Sequence, residues 1–317
     1  MAFTVTATAR AACRAPNARP MGLTITVTTK DPATSIGEQV AESWLETLHT
    51  NAAFDRPWVE QAVDWAITTS MPTVAVDVGC GAGGAACAWA HRLAAGRARV
   101  VATDRDPRLI DIARQRATDE GVADRISWVV AAVDPLPLRP HSVDLVWVSG
   151  VIHHLPDQQQ AVDILAELLR PGGRLVVVEG GLPLRALPHE IGLGRPGLEA
   201  RLDEARARWF VDMRAELNGP PLPYGWPEAL ARAGLAERRS RSFVAEAPPP
   251  LDATGRAIVE QHLREALNQL GDRFDADDRD TLARLLDPDD PAYIGQRDDL
   301  MATAVRTVHT GIVSPDA

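Results

Sequence analysis

The stretch Thr73-Val74-Ala75-Val76-Asp77-Val78-Gly79-Cys80-Gly81-Ala82-Gly83-Gly84 decides how this chain is read, because an apolar run closes on an acid and then on closely spaced glycines. Val74, Ala75, Val76 and Val78 predict a short parallel strand covered on both faces. Gly79, Gly81 and Gly83 lack the Cβ that would hold a ligand away and accept positive φ where the chain turns sharply. The Ala-rich run from Ala85 to Ala95 predicts a helix whose first N–H groups face a polar or anionic ligand group. A tight turn alone needs neither four glycines in six residues nor the acid. Two fingerprints overlap here. Gly79, Gly81 and Gly84 satisfy G-x-G-x-x-G, whereas Asp77-x-Gly79-x-Gly81-x-Gly83 is an acidic version with tighter glycines. Asp77 favours the second, since a carboxylate receives a cationic amino group and gains nothing from a pyrophosphate.

Working outward, Arg99-Val100-Val101-Ala102-Thr103 predicts a second strand ending at Asp104, where a carboxylate can accept both hydroxyls of a ribose. Asp106 with Pro107 suits the cap of the following helix, Pro107 to Thr118, better than Asp104 does. Arg105 is placed to lie along an adenine face or to stay solvated. Val143 to Val148 reads as another buried strand, with Ser149-Gly150 at its ligand-facing carboxyl edge. Ala161, Ile164, Leu165 and Leu168 give Asp157 to Leu169 a helical apolar spacing, and Pro171-Gly172-Gly173 predicts its stop before a strand from Arg174 to Val178.

Taken together these segments resemble the class I S-adenosylmethionine-dependent methyltransferases. Val76 to Gly83 matches the family's first motif and Asp104 its second. Leu136-Pro137-Leu138 before Ser142 to Val146, then Val151-Ile152-His153-His154-Leu155, then Leu169 to Val178 follow in the family's order across residues 73 to 179. The resemblance implies an α/β fold: a doubly wound, Rossmann-like, seven-stranded and mostly parallel sheet with an antiparallel last strand and added helical lid segments. It implies S-adenosylmethionine as cofactor, bound by Asp77, Gly79, Cys80, Gly81, Gly83, Asp104, Arg105 and Ser149, and methyl transfer to a small-molecule acceptor by direct displacement. It departs from the family where an acid commonly follows the third strand to hold the adenine amino group. Here that place falls at Ala131 or Ala132, with Asp134 out of register.

A sulfonium carries its own leaving group, so alignment and exclusion of water carry most of the task and no metal is required. A hydroxyl acceptor gains from a base, and His153 and His154, after the fourth strand, are the candidates because histidine titrates near neutrality. Each serves equally well as a partner for backbone groups at that connection. His189, Tyr224 and Glu179 are weaker candidates. Trp209, Phe210, Met213 and Trp226 read as an aromatic pocket or, more conventionally for such spacing, as core. Two other functions share parts of the pattern: a nicotinamide-dependent oxidoreductase, from G-x-G-x-x-G, and a non-catalytic S-adenosylmethionine-binding protein, from the absent third-strand acid.

With 43 acidic against 33 basic residues in 317, a net charge of -10 leaves no electrostatic footprint for nucleic acid or an anionic membrane. Cys13, Cys80 and Cys87 have neither metal-ligand spacing nor the number for a disulfide framework, which points to the cytoplasm. Residues 1–33 read as a disordered tail without an export signal's apolar core, and Met21 is an alternative start. Thr34 to Asn51 and Arg56 to Ser70 predict two helices (34–70) beside the cofactor mouth. A cofactor-binding core follows (71–180), then a substrate-side insertion (181–225) with a helix from Leu198 to Leu217. Residues 226–317 complete the sheet around a helical insertion at about 251–290, whose acid run Asp272 to Asp280 reads as a solvated helix face. A homodimer is the one assembly entertained.

Overall fold

The computed structural model describes residues 42–67, 71–96 and 98–315, with side chains from residue 50 onward. The tail expected at 1–33, the start of the helix expected from Thr34, and Cys13 lie outside the described residues. Seven strands form one sheet: β1 (Val74–Val78), β2 (Arg99–Asp104), β3 (Ile126–Val130), β4 (Val143–Ser149), β5 (Leu169–Arg185), β6 (Ala236–Ala247) and β7 (Ala302–Ile312). Their order is β3-β2-β1-β4-β5-β7-β6. The first five run parallel, and β7 is antiparallel to both β5 and β6. The order therefore reverses between β1 and β4, which places the ligand crevice of a doubly wound sheet at the carboxyl ends of β1, β2 and β4.

The apolar runs of the parallel strands follow from cover on both faces. Leu145 and Trp147 of β4 enter one buried cluster and Val146 and Val148 the other. Helices α2 (Gly84–Arg92) and α3 (Pro107–Asp119) follow β1 and β2, and α4 (Gln158–Glu167) and α6 (Trp226–Arg232) precede β5 and β6. Trp89 of α2 meets Trp147 edge to face at 6.0 Å. Helix α5 (Leu198–Glu216) lies in the segment between β5 and β6, and α7 (Ala253–Leu270) and α8 (Ala276–Leu286) lie between β6 and β7. No helix among the described residues is long and apolar enough to cross a membrane.

Three expectations are corrected. The two N-terminal helices are one, α1 (Glu42–Ala66), which runs through Pro57. An interior proline costs about 3 kcal/mol. Phe54, Trp58, Val59, Ala62, Val63 and Ala66 are all buried on this helix, and at ~1.5–3 kcal/mol for each large side chain their burial outweighs the broken hydrogen bond.

Pro171-Gly172-Gly173 is not the boundary of β5 but an irregularity within it. Leu169 already pairs with Val143, and the ladder resumes at Arg174 with Leu145. The strand also continues beyond Gly180, because Gly181, at φ +115, lets the backbone pass Val305 where a Cβ would collide, and pairing with β7 extends to Arg185. The acid run, finally, is not wholly solvated. Asp278 is buried and accepts from Arg201 Nε (2.7 Å) and Nη2 (2.8 Å) and from Arg195 Nη2 (3.0 Å), so it ties α8 to the segment that carries α5.

Candidate active site

At the crevice the glycine turn is held by its neighbours. The Cys80 N–H donates to Thr103 O at 2.8 Å, joining the turn to β2. A Cβ on Gly79 would come within 2.3 Å of Val151 Cγ2, and one on Gly83 within 2.8 Å of the Ala113 Cβ. Gly79 thus admits the loop after β4, and Gly83 admits α3. Gly81 differs, because nothing lies within 4 Å of its Cβ position, so this corner of the turn faces open space.

Asp104 borders that space, and the buried Asp77 lies near enough to feel its charge. Asp104 is 8% exposed, with Oδ2 accepting from the Gly81 N–H at 3.0 Å and Oδ1 from the Asp106 N–H at 2.9 Å. Each oxygen keeps a further lone pair for a ligand hydroxyl. The capping alternative for Asp104 falls away, since Asp106 accepts from the Arg108 N–H at 2.9 Å and caps α3 with Pro107 in the first turn. Asp77 is 2% exposed, and its Oδ2 has no hydrogen-bond partner among the described residues. Burial first and the charge of Asp104 second push its pKa up to about 7, against a small opposing effect of the Ala86 N–H. A buried, unpaired carboxylate oxygen beside a second carboxylate fits a ligand carrying an ammonium and a sulfonium.

Cys80 is buried, and burial holds its thiol well above the ordinary value, so it takes the part of a small apolar residue. Arg105 is exposed, Ser149 closes β4 half-buried, and Ala131 and Ala132 follow β3 without an acid. Asp134 is exposed.

The other half of the site lies beyond β4. A short 3-10 turn, Ile152–His154, carries the histidine pair. Glu179, 7% exposed and next to Val178, which pairs with Ser149 at the carboxyl end of β4, accepts the Ile152 N–H on Oε1 at 3.0 Å, and its Oε2 lies 2.8 Å from His153 Nδ1. With Nδ1–H directed at a carboxylate, His153 Nε2 is the basic nitrogen. The His154 ring centroid lies 4.0 Å from that of His153, with the two planes tilted by 45°. Desolvation first, then the neighbouring ring, lower the His154 pKa, although the residue is exposed overall. Arg214 of α5 spans the same loop, donating from Nη1 to the carbonyls of His153 (3.0 Å) and Leu155 (2.6 Å) and from Nη2 to that of Pro156 (3.1 Å). Phe210, one turn earlier, stays exposed with its ring 5.8 Å from His153.

The remaining candidates separate from this group. Trp209 and Trp226 pack against the two buried clusters, Met213 is half-buried, and His189 is exposed. Tyr224 donates to Gln159 Oε1 at 3.0 Å beneath the Arg232 guanidinium. Glu179, a weaker candidate in the sequence, is the one that meets His153. An acid directly after the apolar run Leu175 to Val178 is the same signal that singled out Asp104 after β2. Arg214 carried no signal beyond standing four residues after Phe210.

Residues 76–177 match a family model described as "Methyltransferase domain". The chain is a class I S-adenosylmethionine-dependent methyltransferase. It is 25% identical over 252 residues, 77% of this chain and 78% of the relative, to "Methyltransferase GfsG" of Streptomyces halstedii. It is 36% identical over 103 residues to "Ubiquinone biosynthesis O-methyltransferase" of Xylella fastidiosa (strain 9a5c), 32% of this chain and 39% of that one. The quinone-pathway relatives are thus matched over about half their length or less, as with a "Ubiquinone/menaquinone biosynthesis C-methyltransferase UbiE" of Shewanella frigidimarina (53%). A solved putative methyltransferase from Bacillus halodurans C-125 has 14% identity and a TM-score of 0.49, with 81% of this chain and 98% of that chain covered. The nicotinamide and non-catalytic readings of the same glycines yield to this assignment. The enzyme uses S-adenosylmethionine and acts on a small molecule.

Proposed function

We propose that this methyltransferase methylates a hydroxyl of its acceptor, with His153 as general base and Glu179 as the residue that orients it. One observation carries the reading: a histidine ring nitrogen 2.8 Å from a buried carboxylate, at the ligand-facing edge of the sheet. S-adenosylmethionine supplies a methyl group on a sulfonium that leaves as a neutral thioether. Asp104 is assigned to the ribose hydroxyls, Asp77 to the amino group, and Gly81 to the open corner that admits them.

His153 Nε2 takes the hydroxyl proton as the oxygen attacks, and Glu179 stabilises the imidazolium that results. His154, kept neutral, adds no competing positive charge beside it. Arg214 fixes the height of the loop over the cofactor mouth. The O-methyltransferase name of one relative agrees with an oxygen acceptor, whereas the C-methyltransferases among the others point to carbon.

The test is release of S-adenosylhomocysteine against a panel of phenols, aliphatic alcohols, amines and thiols. Turnover on hydroxyls that His153→Gln abolishes, with cofactor affinity intact, supports the base. Equal turnover in the variant removes it.

A further inference from the structure

Beneath the helices added to the sheet, α1, α5 and α7 close with β5 and β7 around a cavity of about 230 Å³. That is below the ~300 Å³ at which ordinary ligand pockets begin, so it accommodates one group of a larger molecule. Phe54, Pro183, Leu184 and Ile258 give it an apolar side. The opposite chemistry comes from Arg206, Arg306, Glu265, His262 and Asn51.

These polar groups are poorly used by the protein itself. Arg206 Nη1 stands 3.8 Å from Asp203 Oδ1, and Arg306 Nη2 stands 3.7 Å from Asp55 Oδ1 while its Nη1 donates to Val305 O at 3.4 Å. Arg206 Nη1 and both of those carboxylate oxygens have no hydrogen-bond partner among the described residues. Turning Arg206 into the cavity therefore gives up no hydrogen bond at Nη1. His262 is held neutral by burial and by the charges of Arg206, Arg185 and Arg306, against the opposing pull of Asp203. It then offers one donor and one acceptor.

An anion in this cavity would meet Glu265, and a cation would meet two guanidinium groups. A hydroxyl donates to the first and accepts from the second, and a ring of hydroxyls with an apolar face matches both sides of the wall.

One face of α5 connects this cavity to the histidine pair. Arg206, Phe210 and Arg214 follow at i, i+4 and i+8, about 6 Å apart along the axis. Arg206 lines the cavity, Phe210 lies exposed beside His153, and Arg214 holds the loop that carries His153. We infer that the acceptor is an elongated molecule whose neutral, hydroxyl-rich end, the size of one sugar ring, occupies the Arg206–His262 cavity while its reacting oxygen lies at His153 and an apolar middle crosses Phe210. This rests on the reading of His153 as the base.

The experiment uses the full chain saturated with S-adenosylhomocysteine and follows the His262 imidazole signals by NMR, assigned through His262→Gln. Methyl β-glucoside is the probe, with acetate and tetramethylammonium as charged probes of smaller size. The expected result is a millimolar-range response to the glucoside alone, weakened at least tenfold in Arg206→Gln and in Ile258→Phe, which fills the cavity from its apolar side. Unchanged S-adenosylhomocysteine affinity in both variants certifies their fold. A response to either ion in place of the glucoside overturns the inference, as does no response to any probe, which would mean water only. Turnover of His153→Gln, measured in parallel, separates the two readings. A silent His262 with His153 essential overturns the cavity assignment alone, whereas a responding His262 with His153 dispensable overturns the base and the acceptor's placement.

Discussion

The cofactor crevice and the acceptor side of this enzyme are built on opposite principles. The crevice draws its principal groups from Asp77 to Asp104, two adjacent strands and the turns that leave them. The proposed acceptor side gathers Asn51, Glu179, Arg206, Arg214, His262 and Arg306 from five elements spread along most of the chain. Crevice groups are fixed by backbone: N–H donors on Asp104, and glycines that let helices and loops approach. On the other side the fixing contacts come from side chains, Glu179 on His153 and Arg214 on three carbonyls, while Arg206 and Arg306 stand only loosely against their carboxylates. Such a division lets the second region change its ligand while the first keeps the cofactor.

The sharpest way to break that division is at the dyad. His153→Gln and Glu179→Gln are each expected to lower kcat by ~10²–10⁴, the usual contribution of a general base and its support. Calorimetry with S-adenosylhomocysteine should show affinity within twofold of the parent in both. A comparable loss of cofactor affinity would mean that the two regions are one.

The converse variant is Asp104→Ala. It removes the acceptor for the Gly81 and Asp106 N–H groups as well as the assigned partner of the ribose. Charge-assisted hydrogen bonds contribute about 1.5–3 kcal/mol, so affinity should fall roughly 10- to 150-fold. Affinity unchanged in a titration would refute the ribose role.

Asp77 makes a pH-dependent prediction. Its folded pKa, about 7, lies above its ordinary value of 3.8, so the free folded state binds the proton more tightly than the unfolded chain does. The free protein therefore loses stability as pH rises through that interval, and a bound ammonium returns it by favouring the carboxylate. Cofactor affinity should be roughly tenfold weaker at pH 6 than at pH 8, and the cofactor-induced rise in Tm correspondingly smaller, since one unit below the pKa leaves about a tenth of the carboxylate charged. Asp77→Asn should flatten both trends. A parent enzyme without them would place the ammonium elsewhere.

The same contrast explains what was legible in the sequence. The order of elements through the core and the positions of Asp77 and Asp104 follow from apolar runs and the residues that end them, all local signals, whereas the doubly wound sheet was legible only through the family resemblance and the switch between β1 and β4 is set by strand pairing. Glu179 was open to that logic but lay among glycines that read as the end of a strand rather than a bend in it. The continuation of α1 through Pro57 was hidden because local propensity argues for a break, whereas burial of Phe54 and Trp58 on either side decides for continuity. Asp278 read as solvated because its partners, Arg195 and Arg201, lie about 80 residues away and no periodicity links them.

The smallest expected effect tests the joint between the regions. Arg214 holds three successive parts of the loop after β4 by their carbonyls, and the same loop presses Val151 against Gly79 of the cofactor turn. Close to it, Gly219 passes Pro156 so tightly that a Cβ would overlap the Pro156 carbonyl oxygen, so the chain after α5 also bears on this loop. Removing Arg214 leaves those contacts in place and takes away only the clamp. Arg214→Ala should therefore raise KM for the acceptor or lower kcat by several-fold, through a less well placed His153, and leave cofactor affinity within twofold. Arg214→Lys keeps the charge but lacks the planar fork that reaches three carbonyls, so it should recover part of the loss at most. If Arg214→Ala instead weakens the cofactor as much as the acceptor, strain carried from Val151 to Gly79 couples the two regions, and the independence inferred from their construction does not hold in solution.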